Sequence, residues 1–177
     1  METQRLNLKL VTNEDAAFLY RLMNTDRWHQ FIGDAGISSV EAAAQYIDQK
    51  MDADLCKKGF VNHLMIEKTT GQPVGTCSLH HRPGINGIDI GYALLPEFEG
   101  KGYATEGAKT MIALTFKVYE QSLVNAIANE HNRASCHLLE KLGFVSQGFI
   151  RLRSNNNKVK LYVLEKEHWR KNLMGEG

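Results

Sequence analysis

The chain has 177 residues, 43% of them hydrophobic and 23% charged, with a formal net charge of +1. That balance excludes disordered and collagen-like classes, and a charge so close to zero gives no bulk attraction to nucleic acid or to an anionic membrane. No apolar run approaches the roughly 20 residues that span a bilayer, and the start "METQRLNLKLV" lacks the basic and apolar blocks of a secretory signal.

In chain order, "RLNLKLV" alternates apolar and polar residues and predicts a half-buried strand. Asn13 is placed to cap a short helix with Phe18, Leu19, Leu22 and Met23 on one face. "DRWHQFIGDAG" reads as an aromatic loop. Ser38 and Glu41 make a capping-box pattern. They open a helix whose stripe is Val40, Ala43, Ala44, Ile47, Met51 and Leu55, closed at Lys57-Lys58-Gly59. "FVNHLMIEK" and "PVGTCSLHH" flank the turn signal "TTGQ" and predict a hairpin. A second turn, "RPGING", leads into the strand "IDIGYALL".

After that strand comes "PEFEGKGYATEG", then a helix with Ala104, Ala108, Met111, Ile112, Thr115, Phe116 and Tyr119 on one side. "SLVNAIAN" reads as a buried strand, and "NRASCHLLEKLGF" as a helix capped by Asn132 and stopped at Gly143. "VSQGFIRL" and "VKLYVLE" are strands around "RSNNNK", and "KEHWRKNL" is a short terminal helix. No linker or repeat divides the chain, so a single α/β domain over 1–177 is expected. Cys56, Cys77 and Cys136 are odd in number and form no CxxC pair. They fit a reducing, cytoplasmic setting and no disulfide framework.

The junction at Glu97–Gly107 carries the chemistry. A strand end, a glycine turn and a helix start together make an anion site, because the first helical N–H groups lack intrahelical partners and the macrodipole is positive there. It is not a P-loop: Lys101 is followed by Gly102, and no glycine stands five residues before Gly100. Nor is it a dinucleotide fingerprint, whose last position is Thr105 here. An ordinary structural glycine turn remains the alternative from these residues alone.

The spacing Glu97-x-x-Gly100-x-Gly102 resembles the Q/R-x-x-G-x-G/A pyrophosphate loop of GNAT N-acetyltransferases. "IGYALLPEFEGKGYATEG", "NEHNRASCHLLEKLGF" and the opening "METQRLNLKLVTNEDAAFLYRLMN" resemble their ribosomal-protein N-terminal acetyltransferase (RimJ/RimL-type) branch. Two positions depart from the pattern: Glu97, where Gln or Arg is usual, and Glu99, where the branch often carries an aromatic residue. The resemblance implies an α/β (α+β) fold with a mixed, mostly antiparallel twisted sheet of about seven strands flanked by helices, splayed where acetyl-CoA binds.

It also implies roles. The backbone amides of Gly100, Lys101, Gly102, Tyr103 and Ala104 would hold the pyrophosphate of acetyl-CoA. The backbone of Leu94 and Leu95 would hold its pantetheine arm and acetyl carbonyl, and Asn132 would lie on the cofactor side or simply cap its helix. Ser135 matches a serine used as general acid toward the leaving thiolate, with an ordinary first-turn serine as the alternative. The tyrosine that many members use for this is Leu139 here. Asp89 matches a base position, with a charge pair as the alternative; His29, His80 and His81 are further candidates. A glutamate base on the late strands is missing, since 146 to 164 contain no acid. The acceptor groove would run between Trp28, His29, Phe31 and Asp34 and the segment "RLRSNNNK". Arg151, Arg153, Lys158 and Lys160 there have no interleaved aromatics of the kind nucleic-acid sites use, so no direct nucleic-acid binding is expected.

The implied reaction moves an acetyl group from acetyl-CoA to a primary amine by direct attack in a ternary complex, with no metal. Neutralising an α-amine at pH 7 costs roughly 1–1.4 kcal/mol, and a lysine amine roughly 4.6 kcal/mol. A site without a strong base suits a protein N-terminus, the acceptor of this branch. A small-molecule amine (polyamine, amino acid or antibiotic) is the second reading, and a non-catalytic acyl-CoA-binding module the third. A monomer or homodimer is expected.

Overall fold

The alternating segment at the N-terminus folds as strand β1 (Leu6–Leu10), with Leu6 and Leu8 buried. In this computed structural model, residues 1–51, 62–153 and 156–175 are described. The next helix, α1 (Ala16–Met23), buries Ala16, Leu19, Leu22 and Met23. Its lead-in turn Asn13–Asp15 is capped by Thr12 and not by Asn13: the Thr12 N–H donates to the Asp15 carboxylate at 3.0 Å in a reciprocal box. Asn13 donates instead to Asp48.

The expected aromatic loop contains a helix, α2 (Asp26–Phe31), because the Thr25 hydroxyl accepts the Trp28 N–H and satisfies a first-turn donor. The cap of α3 (Val40–Tyr46) is Ser39, one residue later than predicted, with its hydroxyl accepting from Ala42 N–H. That shift takes Glu41 out of the box position, yet its pKa is lowered by its backbone hydrogen bond and by Ser39. The helix passes into a π turn over Ile47–Met51. Leu55 and the predicted closure at Lys57-Lys58-Gly59 lie outside the described residues.

Strands β2 (Asn62–Glu67) and β3 (Pro73–His80) form the predicted antiparallel hairpin. Strand β4 (Ile88–Leu94) follows, then α4 (Tyr103–Lys117), β5 (Leu123–Ala128), α5 (Arg133–Lys141), β6 (Val145–Arg151), β7 (Lys158–Glu165) and α6 (Lys166–Gly175). The seven strands form one mixed sheet, ordered β1-β2-β3-β4-β5-β7-β6. All recorded pairings are antiparallel except β4 with β5. That parallel ladder covers Ile88–Ile90, the first part of a seven-residue strand.

Chain contacts divide into two units. One comprises Met1–Ser78 and Tyr92–Ala108. Its core joins Leu19, Leu22, Ala43, Ile47 and Leu95. Gly75 on β3 lies so close to β4 that an added Cβ would stand 2.2 Å from the Ala93 carbonyl oxygen. The other unit comprises Leu79–Gly91 and Lys109–Gly177. Ile85, Leu152 and Val159 form one cluster in it, and Phe116 and Tyr162 are among its fully buried side chains. Among the described residues, no helix is long and apolar enough to cross a membrane.

Candidate active site

The last strand residues of β4 feed straight into the glycine turn. Leu95 donates its N–H to Val74 O at 3.0 Å, which fixes where the strand ends. Pro96–Phe98 make a single 3-10 turn, and then Gly100 and Gly102 take φ of +72° and +84°. L side chains rarely adopt such angles, and glycine does so freely. Nothing lies within 4 Å of a Cβ added at Gly100, so its requirement is the backbone angle and not crowding. Helix α4 starts at Tyr103, and its first closing bond runs from Glu106 N–H to Gly102 O at 3.1 Å. The amides before Glu106 have no helical acceptor, so the turn offers a row of N–H donors at a positive helix end.

The charges around this turn decide whether it suits an anion. Glu97 is paired with Arg21 from α1, and Glu99 with Arg27 from α2 at 3.0 Å. Both acids that depart from the expected pattern are thus matched by arginines. The Lys101 ammonium stands 5.0 Å from the centre of the Phe98 ring. Arg5, one residue before β1, donates from Nη1 to Lys101 O at 2.8 Å and from Nε to Glu106 Oε2 at 2.8 Å. Its guanidinium lies 4.8 Å from the Tyr103 ring centre. Burial pushes the Glu106 carboxyl up, but bonds from Thr3 and Arg5 outweigh it and the net direction is down. The Tyr103 hydroxyl bonds Glu67 of β2, which raises the phenol's pKa and lowers the carboxyl's. A left-handed glycine turn, first-turn amides without helical acceptors and acids matched by arginines fit a diphosphate.

Leu94, Leu95 and the amides of Gly100, Lys101, Gly102, Tyr103 and Ala104 all belong to the first unit, whereas Asp89, Asn132 and Ser135 belong to the second. Asp89 on β4 is completely buried. Arg82, from the turn before the strand, donates from Nε and Nη2 to Asp89 Oδ2, each at 2.8 Å. Asp89 Oδ1 has no partner among the described residues. Burial pushes this carboxyl from its usual 3.8 up to about 6, with Arg82 pulling the other way. Asn125 lies opposite Asp89 on β5, but its amide is committed to Asn86 O and Ile88 O.

Asn132 is the cap of α5, its Oδ1 accepting the Ser135 N–H at 3.2 Å. Ser135 is half-buried in the first turn. Leu139, where a tyrosine would serve as acid, is buried. Cys136 is buried too, with its thiol directed at Asn129 O at 3.7 Å. His29 and His81 are exposed and His80 is half-buried. Sequence reasoning missed Arg5, Arg21, Arg27 and Arg82. Their partners are distant or turn-borne, and only the unmatched acids Glu97 and Glu99 hinted that cations must lie nearby.

Residues 5–145 match the model of the acetyltransferase (GNAT) domain family. The uncharacterized N-acetyltransferase YoaA of Bacillus subtilis (strain 168) is 28% identical over 156 residues, 85% of each chain. Two solved structures share the fold. One is a spermidine N-acetyltransferase from Vibrio cholerae in complex with CoA and spermine, with a TM-score of 0.78, 16% identity and coverage of 95% of this chain and 99% of that one. The other is a ribosomal-protein-S5-alanine acetyltransferase from Vibrio fischeri, with a TM-score of 0.74, 20% identity and coverage of 96% and 97%. The chain therefore belongs to the GNAT acetyltransferase family and is an N-acetyltransferase.

Proposed function

We propose that this enzyme transfers the acetyl group of acetyl-CoA to the α-amine of a protein N-terminus, as in the ribosomal-protein (RimJ/RimL-type) branch. The observation that carries the cofactor half is the turn at Gly100 and Gly102, with its positive φ values, set directly before the head of α4, where the first amides have no helical acceptor. Gly100, Lys101, Gly102, Tyr103 and Ala104 hold the pyrophosphate through those amides. Several such charge-assisted bonds, each worth about 1.5–3 kcal/mol, would let a loop without a catalytic side chain hold the cofactor. The backbone of Leu94 and Leu95 receives the pantetheine arm along the part of β4 beyond its ladder with β5.

Acetyl-CoA supplies an activated thioester carbonyl. The chain's residues do the rest. The Leu94–Leu95 backbone orients the carbonyl for attack by the neutral amine. Asp89 takes the proton through a water, and a carboxyl that titrates near 6 is ionised at neutral pH and suited to that task. Ser135 donates a proton to the departing sulfur. No covalent enzyme intermediate is needed. The small cost of neutralising an α-amine, roughly 1–1.4 kcal/mol at pH 7, is within reach of so indirect a base, whereas a lysine amine asks roughly 4.6 kcal/mol.

Thiol release from acetyl-CoA, measured with a panel of peptide N-termini, polyamines and aminoglycosides, tests this. Turnover with peptides whose only primary amine is the α-amine is expected. Turnover confined to polyamines or aminoglycosides would overturn the acceptor, and binding with no acceptor-dependent thiol would overturn catalysis.

A further inference from the structure

We propose that Arg5 is a positioning residue for acetyl-CoA: it pins the Lys101–Gly102 peptide so that the Gly102 N–H faces the pyrophosphate. The inference rests on the acetyl-CoA reading above. A trans peptide is planar, so its C=O and N–H point in opposite directions. Arg5 Nη1 holds the Lys101 carbonyl at 2.8 Å, and the Gly102 N–H is therefore aimed away from Arg5. Arg5 Nη2 would lie 3.1 Å from a Cβ added at Gly102, so the guanidinium fills the side of the turn opposite the donor row.

The guanidinium is itself held on three sides. Its Nε bonds Glu106 Oε2, and Glu106 also accepts the Arg5 backbone N–H at 2.7 Å and the Thr3 hydroxyl. Its face lies over Tyr103, whose hydroxyl is tied to Glu67. Glu67 pairs in register with Leu6, the residue after Arg5. The N-terminal strand and the head of α4 are thus fastened through one planar side chain. A lysine keeps the charge but cannot donate to a carbonyl and a carboxylate in fixed fork geometry while stacking on a ring. The role is positional: the guanidinium commits Nε and Nη1 to protein acceptors and shapes the turn that meets the ligand.

The test uses calorimetry with CoA on wild type, Arg5→Lys and Arg5→Ala. A parallel assay compares turnover with acetyl-CoA and with S-acetylpantetheine, which lacks the pyrophosphate. Both variants are expected to weaken CoA by about tenfold or more, the scale of lost hydrogen bonds to a charged group. The KM for acetyl-CoA should rise while kcat and the kinetics with S-acetylpantetheine hold. Arg5→Lys keeps charge and strand, so it carries the readout if Arg5→Ala folds poorly. Wild-type CoA affinity in Arg5→Lys would overturn the proposal alone. Equal loss with both acyl donors, tracking a lowered Tm, would overturn it in favour of a merely structural arginine. No CoA binding by wild type would overturn the reading beneath it, and the proposal with it.

Discussion

Replacing Asp89 with asparagine changes how stability depends on pH, and the size of the change follows from burial. The carboxyl is fully buried, and its pKa rises from the usual 3.8 to about 6. The folded state thus binds the proton more tightly than the unfolded chain does. Stability from this group is fully present below 3.8 and is lost as pH rises toward 6. Each tenfold in proton affinity is about 1.4 kcal/mol, so the whole span is about 3 kcal/mol. The substituted amide does not titrate and has no such linkage, and the other carboxylates titrate alike in both proteins. Urea unfolding of the two proteins from pH 4 to 7.5 should therefore show the stability of wild type relative to Asp89→Asn falling by about 2 kcal/mol across the window, the rest of the span lying below pH 4. Arg82 is partly exposed and can turn to water, so its lost partner adds a constant offset and not a slope. Parallel curves would refute a buried, proton-hungry Asp89.

Ser135→Ala should lower kcat by about 100-fold, the scale of general acid catalysis, with no loss of CoA affinity by calorimetry; an unchanged kcat would remove the serine from the mechanism. Gly75→Ala forces a Cβ to within 2.2 Å of a backbone oxygen on β4. Overpacking of this kind costs about 1–3 kcal/mol or more, so the Tm should drop by several degrees, and an unchanged Tm would show that the two strands part easily.

The sequence was most legible where one signal was local and periodic. The alternation in β1, the turn between β2 and β3, and the glycines before α4 each specified an element directly. Helix α2 was not legible, because six residues with scattered aromatics carry no period and the start depends on a single Thr25 bond. The caps at Thr12 and Ser39 fell one residue from the predicted positions, since neighbouring Ser, Thr and Asn compete for one cap site. At the site, the donor turn could be read, but its electrostatics could not. Arg21 reaches Glu97 across 76 residues and Arg5 reaches Lys101 across 96, and no spacing rule links such pairs. Asp89 read as a candidate base with a charge pair as the alternative; its complete burial and its pairing with Arg82, from the turn seven residues earlier, carry no spacing signal.

Whether the amides at the head of α4 receive the diphosphate is read by titrating 15N-labelled protein with acetyl-CoA and following the assigned amide resonances. The largest shifts are expected at Gly100, Lys101, Gly102, Tyr103 and Ala104. Undisturbed resonances there, with binding elsewhere or none at all, would contradict it.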